Sequence, residues 1–232
     1  MKTILRAAAG VAMSLTATPN LAQIAITEVA PWSSGNSRIE ADWFELTNLG
    51  GTAVGISGWR MDDSSASAGS SRPLRGIASI DAGRSVIFLE ADALGIDDAA
   101  LAAAFVGTWF GGSAPTALHI GFYGGSGVGL STGGDAVTVF DANGALQASV
   151  SFGASPAASP FATFDNSAGL DDVTLDRLTA AGINGAFIAP GSLGITEIGS
   201  PGVVAAIPEP ETYALFLAGL GLVGALTRMR RR

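Results

Sequence analysis

The sequence predicts an all-β fold, a sandwich of short antiparallel strands. Three observations carry that reading. Short runs with apolar residues at every second position recur along the chain. Turn-forming residues separate them, with 32 Gly and 10 Pro among 232 residues. Only one internal stretch has helix-forming composition. With 48% apolar and 14% charged residues, the chain has the apolar content that a disordered chain lacks.

The elements come in this order. In "IAITEVA" (24–30), strict alternation places Ile24, Ile26 and Glu28 on one side and Ala25, Thr27 and Val29 on the other. In "DWFELTN" (42–48), Phe44 and Leu46 oppose Trp43, Glu45 and Thr47. "AVGISGWRM" is next, then "SVIFLE" after a turn at Asp81-Ala82-Gly83, then "LHIGFYG". "DAVTVFDANGALQASVSFG" reads as a hairpin, with Asn143-Gly144 suited to a turn with positive φ at both central positions. "DDVTLDRL" is a late strand. "EADALGIDDAALAAAFVG" (90–107) is a short helix of one or two turns on a connection. "DSSASAGSSRP" is an exposed loop, and O-linked modification of residues 64–71 is open. The segment 182–207 is broken by Gly and Pro and reads as an extended linker.

The two ends have a different composition. Lys2 and Arg6 precede a short apolar run over 7–17, and Ala22 offers a small residue for cleavage. That pattern is a secretory signal peptide, too short to span a bilayer. The bland alternative is an amphipathic helix opening the domain, but no charged face recurs at helical spacing. At the other end, Pro208-Glu209-Pro210 resists helix. An apolar span comes after it, built on Tyr213, Leu215, Phe216, Leu217, Leu220, Leu222, Val223 and Leu226, and Arg228, Arg230, Arg231 and Arg232 close the chain. A helix over 213–227 is short for a bilayer of about 30 Å, and snorkelling arginines with local thinning make up the difference. The arginines favour the cytoplasmic side, which leaves the body outside. A buried core helix is the alternative, but core helices seldom end in such a cluster. The expected organisation is a signal peptide at 1–22, the sandwich with its linker at 23–204, and a sorting segment at 207–232.

Charge and residue types narrow the chemistry. The net charge is −8, yet six of the 12 basic residues sit at the two ends, so the body is more acidic still. Phosphate backbones would repel it, and no nucleic-acid partner is expected. There is no cysteine, which excludes disulfides and Cys-based zinc sites. The single histidine, His119, lies in an apolar strand; with no Gly-x-Ser-x-Gly elbow, it is read as a strand residue and no catalytic residue is assigned. "GGSGVGLSTGG" has no lysine and opens no helix, so it is a flexible turn before it is a phosphate loop. In "DNSAGLDD" the acids usually make a solvated turn, and the spacing of Asp165, Asp171 and Asp172 also allows a weak calcium site. No cofactor is expected. Trp43 and Trp59 read as core, while Trp32 and Trp109, in loop-like contexts, are the better candidates for a binding surface.

The tail resembles the PEP-CTERM sorting signal: Pro208-Glu209-Pro210, the spacer Glu211-Thr212, the apolar span and the arginine cluster stand in that family's order. The resemblance implies export through the Sec machinery, transient residence in the inner membrane of a Gram-negative bacterium, and handling by exosortase. The body would then pass to the cell surface or extracellular matrix.

The body resembles the lamin-tail domain, an immunoglobulin-like β-sandwich. The residues are Ile24, Ile26 and Glu28; Trp43-Phe44-Glu45-Leu46-Thr47-Asn48; Gly50; Ser57-Gly58-Trp59; Asp62-Asp63; Gly83 with Val86-Ile87; Arg177; and Pro201-Gly202. Coverage would run from Ile24 to Val204, with the Ala/Gly-rich middle, 92–134, poorly matched. The resulting expectation is a non-enzymatic structural or adhesive role at the surface or in biofilm matrix. The alternatives are a module recognising extracellular polysaccharide or a surface protein, and a carboxylate-dependent hydrolase.

Overall fold

A computed structural model describes residues 24–33, 37–91, 95, 97–166 and 173–203. The described elements are β1 (Ile24–Ala30), β2 (Trp43–Asn48), β3 (Val54–Gly55), β4 (Arg60–Asp62), β5 (Arg72–Pro73), β6 (Ser79–Ile80) and β7 (Ser85–Glu90). Helix α1 (Asp98–Phe110) comes next, then β8 (Ile120–Tyr123), β9 (Asp135–Phe140) and β10 (Leu146–Phe152). The chain continues with β11 (Phe161–Ala162), β12 (Phe164–Asp165), β13 (Thr174–Leu175), β14 (Phe187–Ile188) and β15 (Glu197–Gly199).

The expected immunoglobulin-like sandwich is present. One five-stranded sheet has the order β12-β1-β2-β7-β8, and the other β13-β10-β9-β4-β5. Ile24, Ile26, Val29, Phe44, Leu46, Val86 and Phe88 of the first sheet pack with Met61, Val137, Val139, Val150 and Phe152 of the second. Neighbouring strands are mostly antiparallel, but β7·β8 and β10·β13 run parallel. A bridge between Arg75 and Phe122 joins the sheets at one edge, and Arg75 also pairs with Asp98 at 2.9 Å.

The first sheet is buried on both faces, so every residue of β1, β2 and β7 is buried. Its second face carries Trp43, Ile87 and Leu89 against Leu101, Phe105 and Trp109 of α1, with Trp32, Phe161 and Ala189 in the same cluster. The helix is longer than the one or two turns expected. Asp97 caps its start by accepting from Ala100 N at 2.8 Å, and Gly111, at φ 62°, ends it in the left-handed conformation.

Four expectations change. Alternation in β1 breaks at a bulge between Ile26 and Glu28. One extra residue swaps the faces of the residues after it, so Val29 joins the inter-sheet core and Glu28 leaves the face of Ile24 and Ile26. "AVGISGWRM" divides at Gly58, φ 80°, into β3 and β4, which belong to different sheets. The hairpin turn has positive φ at Gly144 and not at Asn143. Asp141 organises it instead, accepting from Asn143 N at 2.8 Å and Ala145 N at 2.9 Å, which fits a type I turn ending in a left-handed glycine. The described part of the expected linker, up to residue 203, is built into the body. There β15 pairs with β14 and β11 in a three-stranded sheet, and Glu197 is fully buried.

Candidate functional site

The acids of the first sheet form two buried pairs, and neither follows from strand alternation alone. Glu28 and Glu45 are partners across β1 and β2. Thr27 Oγ1 donates to Glu45 Oε1 at 2.6 Å, and Gly202 N donates to Glu45 Oε2 at 2.6 Å. Thr163 Oγ1 and Ser200 N donate to Glu28 Oε1 at 2.5 and 2.8 Å, and Ser200 Oγ donates to Oε2 at 3.2 Å. Thr47 and Ser85 extend this hydroxyl network. Burial pushes the Glu28 carboxyl up to about 8, helped by the charge of Glu45 and opposed by the hydrogen bonds from Thr163 and Ser200. Burial likewise raises Glu45 to about 7 against its own donors. Each of these carboxyls therefore keeps its proton to higher pH than an exposed glutamate does.

The second pair sits where β2 begins and β7 ends. Glu90 N donates to Asp42 O at 2.9 Å, and Tyr123 is the partner of Glu90 on β8. Asp42 accepts from Ser33 N at 2.7 Å and Leu130 N at 2.6 Å. The glycine-rich stretch read as a flexible turn lies over this pair. A Cβ on Gly125 would meet Glu90 Oε1 at 1.5 Å, so only glycine lets the chain lie so close. Burial raises Asp42 to about 7; the hydrogen bond from Ser33 opposes that rise and the charge of Glu90 adds to it. Burial also lifts Tyr123 well above the ordinary phenol range, with Asp42 and Glu90 adding to it.

The remaining candidates fall into place around these pairs. Trp32 and Trp109 are completely buried, which corrects their reading as binding-surface candidates. They stack at 6.3 Å, and Trp43 meets both edge-on, because α1 and the segment at Trp32 cover the second face of the first sheet. Trp59 is buried in the inter-sheet core. His119 is exposed just before β8. The serine-rich loop is organised by buried Asp62, which accepts from Ser65 Oγ, Ser67 N and Ser70 Oγ. Ser71 is itself buried.

Asp165 is buried in β12 opposite Glu28, and Asn184 Nδ2 donates to it at 3.4 Å. Asp171 and Asp172 lie outside the described residues, as do Ala22, Pro208-Glu209-Pro210, the apolar span and the terminal arginines. Among the described residues no helix is long and apolar enough to cross a membrane, and no three acidic or histidine side chains gather as a metal site.

No curated protein matches the chain. The model of the PEP-CTERM protein-sorting motif matches residues 206–232. That motif implies an exported protein, made as a membrane-anchored precursor at the cell envelope and processed by exosortase. The other match, to the Lamin Tail Domain, covers residues 17–154 and ends just after β10, earlier than the resemblance at Arg177 and Pro201-Gly202 suggested. Both matched families are non-catalytic. A match over more than half of the sequence, on a two-sheet sandwich with the expected opening strands, establishes that this chain belongs to the lamin tail domain family.

Proposed function

We propose that the body is a non-enzymatic structural or adhesive module. On this reading it is exported through the Sec machinery after cleavage behind Ala22. The 213–227 helix then holds it in the inner membrane, with Arg228, Arg230, Arg231 and Arg232 on the cytoplasmic side. Recognition of Pro208-Glu209-Pro210 by exosortase releases it to the surface or matrix. The observation that carries the non-enzymatic part is the use made of the acids. Glu28 and Glu45 are sealed between strands, and their oxygens accept from Thr27, Thr163, Ser200 and Gly202 of the fold itself. A general acid or base must reach the proton it moves, and these oxygens face protein donors.

Binding of extracellular polysaccharide or of a surface protein is the second reading, favoured by the strongly acidic body and by exposed Val173, Ile183, Ile188 and Leu193. Co-sedimentation with matrix polysaccharide from the native host separates the two. Retention that survives high salt supports recognition of a ligand. No retention, with the protein still in the matrix fraction, supports a structural part. A hydrolase screen in which Glu28→Gln or Glu45→Gln abolishes turnover would overturn both.

A further inference from the structure

The oxygens around Gly129 converge on one point. A Cβ built on that residue would lie 3.4 Å from Glu90 Oε1, 3.6 Å from the Gly125 carbonyl oxygen and 3.9 Å from Asp42 Oδ2. Gly129 is exposed, whereas Asp42, Glu90 and Tyr123 are buried, so the point lies between solvent and the buried acids. The Tyr123 hydroxyl is fully buried, interacts electrostatically with both carboxylates, and has no hydrogen-bond partner. A buried polar atom of this kind calls for an occupant, an ordered water or an ion. Arg72 of β5 reaches the loop and donates to the Ser126 carbonyl at 2.7 Å.

We propose that Asp42, Glu90, the Gly125 carbonyl and the Tyr123 hydroxyl form a calcium site at the end of the sandwich, closed by the glycine-rich loop 124–130. The donor set is all oxygen, which suits a hard cation and offers zinc none of its preferred nitrogen or sulfur ligands. Two carboxylates match the charge of one divalent ion. Calcium accepts irregular coordination and completes its shell with water, which can enter on the side of Gly129, while magnesium demands a near-octahedral set. With two acids the site is a weak one, of the kind that works at extracellular calcium levels. Its occupation would tie β2, β7 and β8 to the loop.

The test uses the full chain in detergent, stripped with chelator and titrated with calcium chloride. Equilibrium dialysis should show calcium bound at this site in the millimolar range, and 10 mM calcium should raise the melting temperature by about 5 °C. Magnesium should do much less. Asp42→Asn with Glu90→Gln should abolish both effects. Tyr123→Phe, which keeps the ring and removes one ligand, should weaken binding by about tenfold. Asp171→Asn with Asp172→Asn should leave both effects intact, which separates this site from the one expected at Asp165, Asp171 and Asp172. No bound calcium and no thermal shift in the folded wild type would overturn the proposal and leave a water beside Tyr123. Calcium binding that survives in the Asp42/Glu90 variant, or is unchanged in Tyr123→Phe should the double variant not fold, would overturn it equally.

Discussion

The two carboxylate pairs of the first sheet are alike in burial and opposite in what surrounds them. Glu28 and Glu45 lie mid-sheet on the side away from the inter-sheet core, and hydroxyls and backbone N–H groups saturate them. Asp42 and Glu90 lie where β2 begins and β7 ends, under a loop of glycines. The first pair is an internal staple, because its acceptors hold Ser200 and Gly202 against β1 and β2. The second is held by Ser33 N and Leu130 N on Asp42 and lies beside a buried phenol that has no hydrogen-bond partner. Buried acids are therefore not one class: the donors around them, more than their depth, decide whether they serve the fold or can take a ligand.

The sharpest way to break the comparison is at the glycines pressed on each glutamate. Gly125→Ala drives a Cβ into the carboxyl end of Glu90, with Cδ at 2.3 Å and Cγ at 2.5 Å, so the whole buried side chain must move. It should cost about 3 kcal/mol or more, read as a fall in denaturation midpoint. Gly199→Ala, which meets Glu28 Oε1 and Trp109 at 2.7 Å, should cost slightly less.

The next effect is on pH. The glutamates of the unfolded chain titrate near 4.5, and those of the folded pair near 7 to 8. Between these values the folded state keeps a proton that the unfolded state has released. The stability linked to that proton is whole below about 4.5 and is lost as pH rises through 7 to 8. Denaturant unfolding in calcium-free buffer should give a higher free energy at pH 5.5 than at pH 8.5, by on the order of 2 kcal/mol. Glu28→Gln keeps an acceptor for Thr163 and Ser200 N and should flatten much of that slope. A slope unchanged by Glu28→Gln would mean that the first pair is not the titrating unit.

Smaller effects sharpen the contrast. Thr163→Val keeps the shape and removes a donor from Glu28, and should cost about 1–2 kcal/mol in thermal or denaturant melts. In calcium-free buffer Tyr123→Phe removes a hydroxyl that already lacks a partner, so its cost should stay within about 0.5 kcal/mol.

The sequence made the sandwich legible where apolar alternation was clean. Phe44 and Leu46, Val137 and Val139, and Val150 and Phe152 point into one core as alternation requires. The helix was legible in its alanine run, though Gly107 hid its last turn. The bulge at Thr27 was not, since a bulge adds a residue without changing composition. The segment around β14 and β15 was not legible either, because strands of two and three residues carry no period and the Gly and Pro content around them is that of a linker. The buried acids left a trace. Glu28, Glu45 and Glu90 each interrupt or end an apolar run, which marks a charge inside a sheet once both its faces are known to be covered. That second covering comes from α1 and from chain distant in sequence, and single-strand patterns do not contain it.

The motif implies export and a membrane-anchored precursor; the proposal to test is that the sandwich is then released from a tail that serves as its address. The direct measurement is intact mass and membrane fractionation of the protein from its native host, wild type beside a Pro208→Ala, Glu209→Ala, Pro210→Ala variant. The account predicts a wild type that has lost its C-terminal segment and left the inner membrane, while the variant stays there whole. Full-length tails in the inner membrane for both proteins would contradict it and make the segment a permanent anchor.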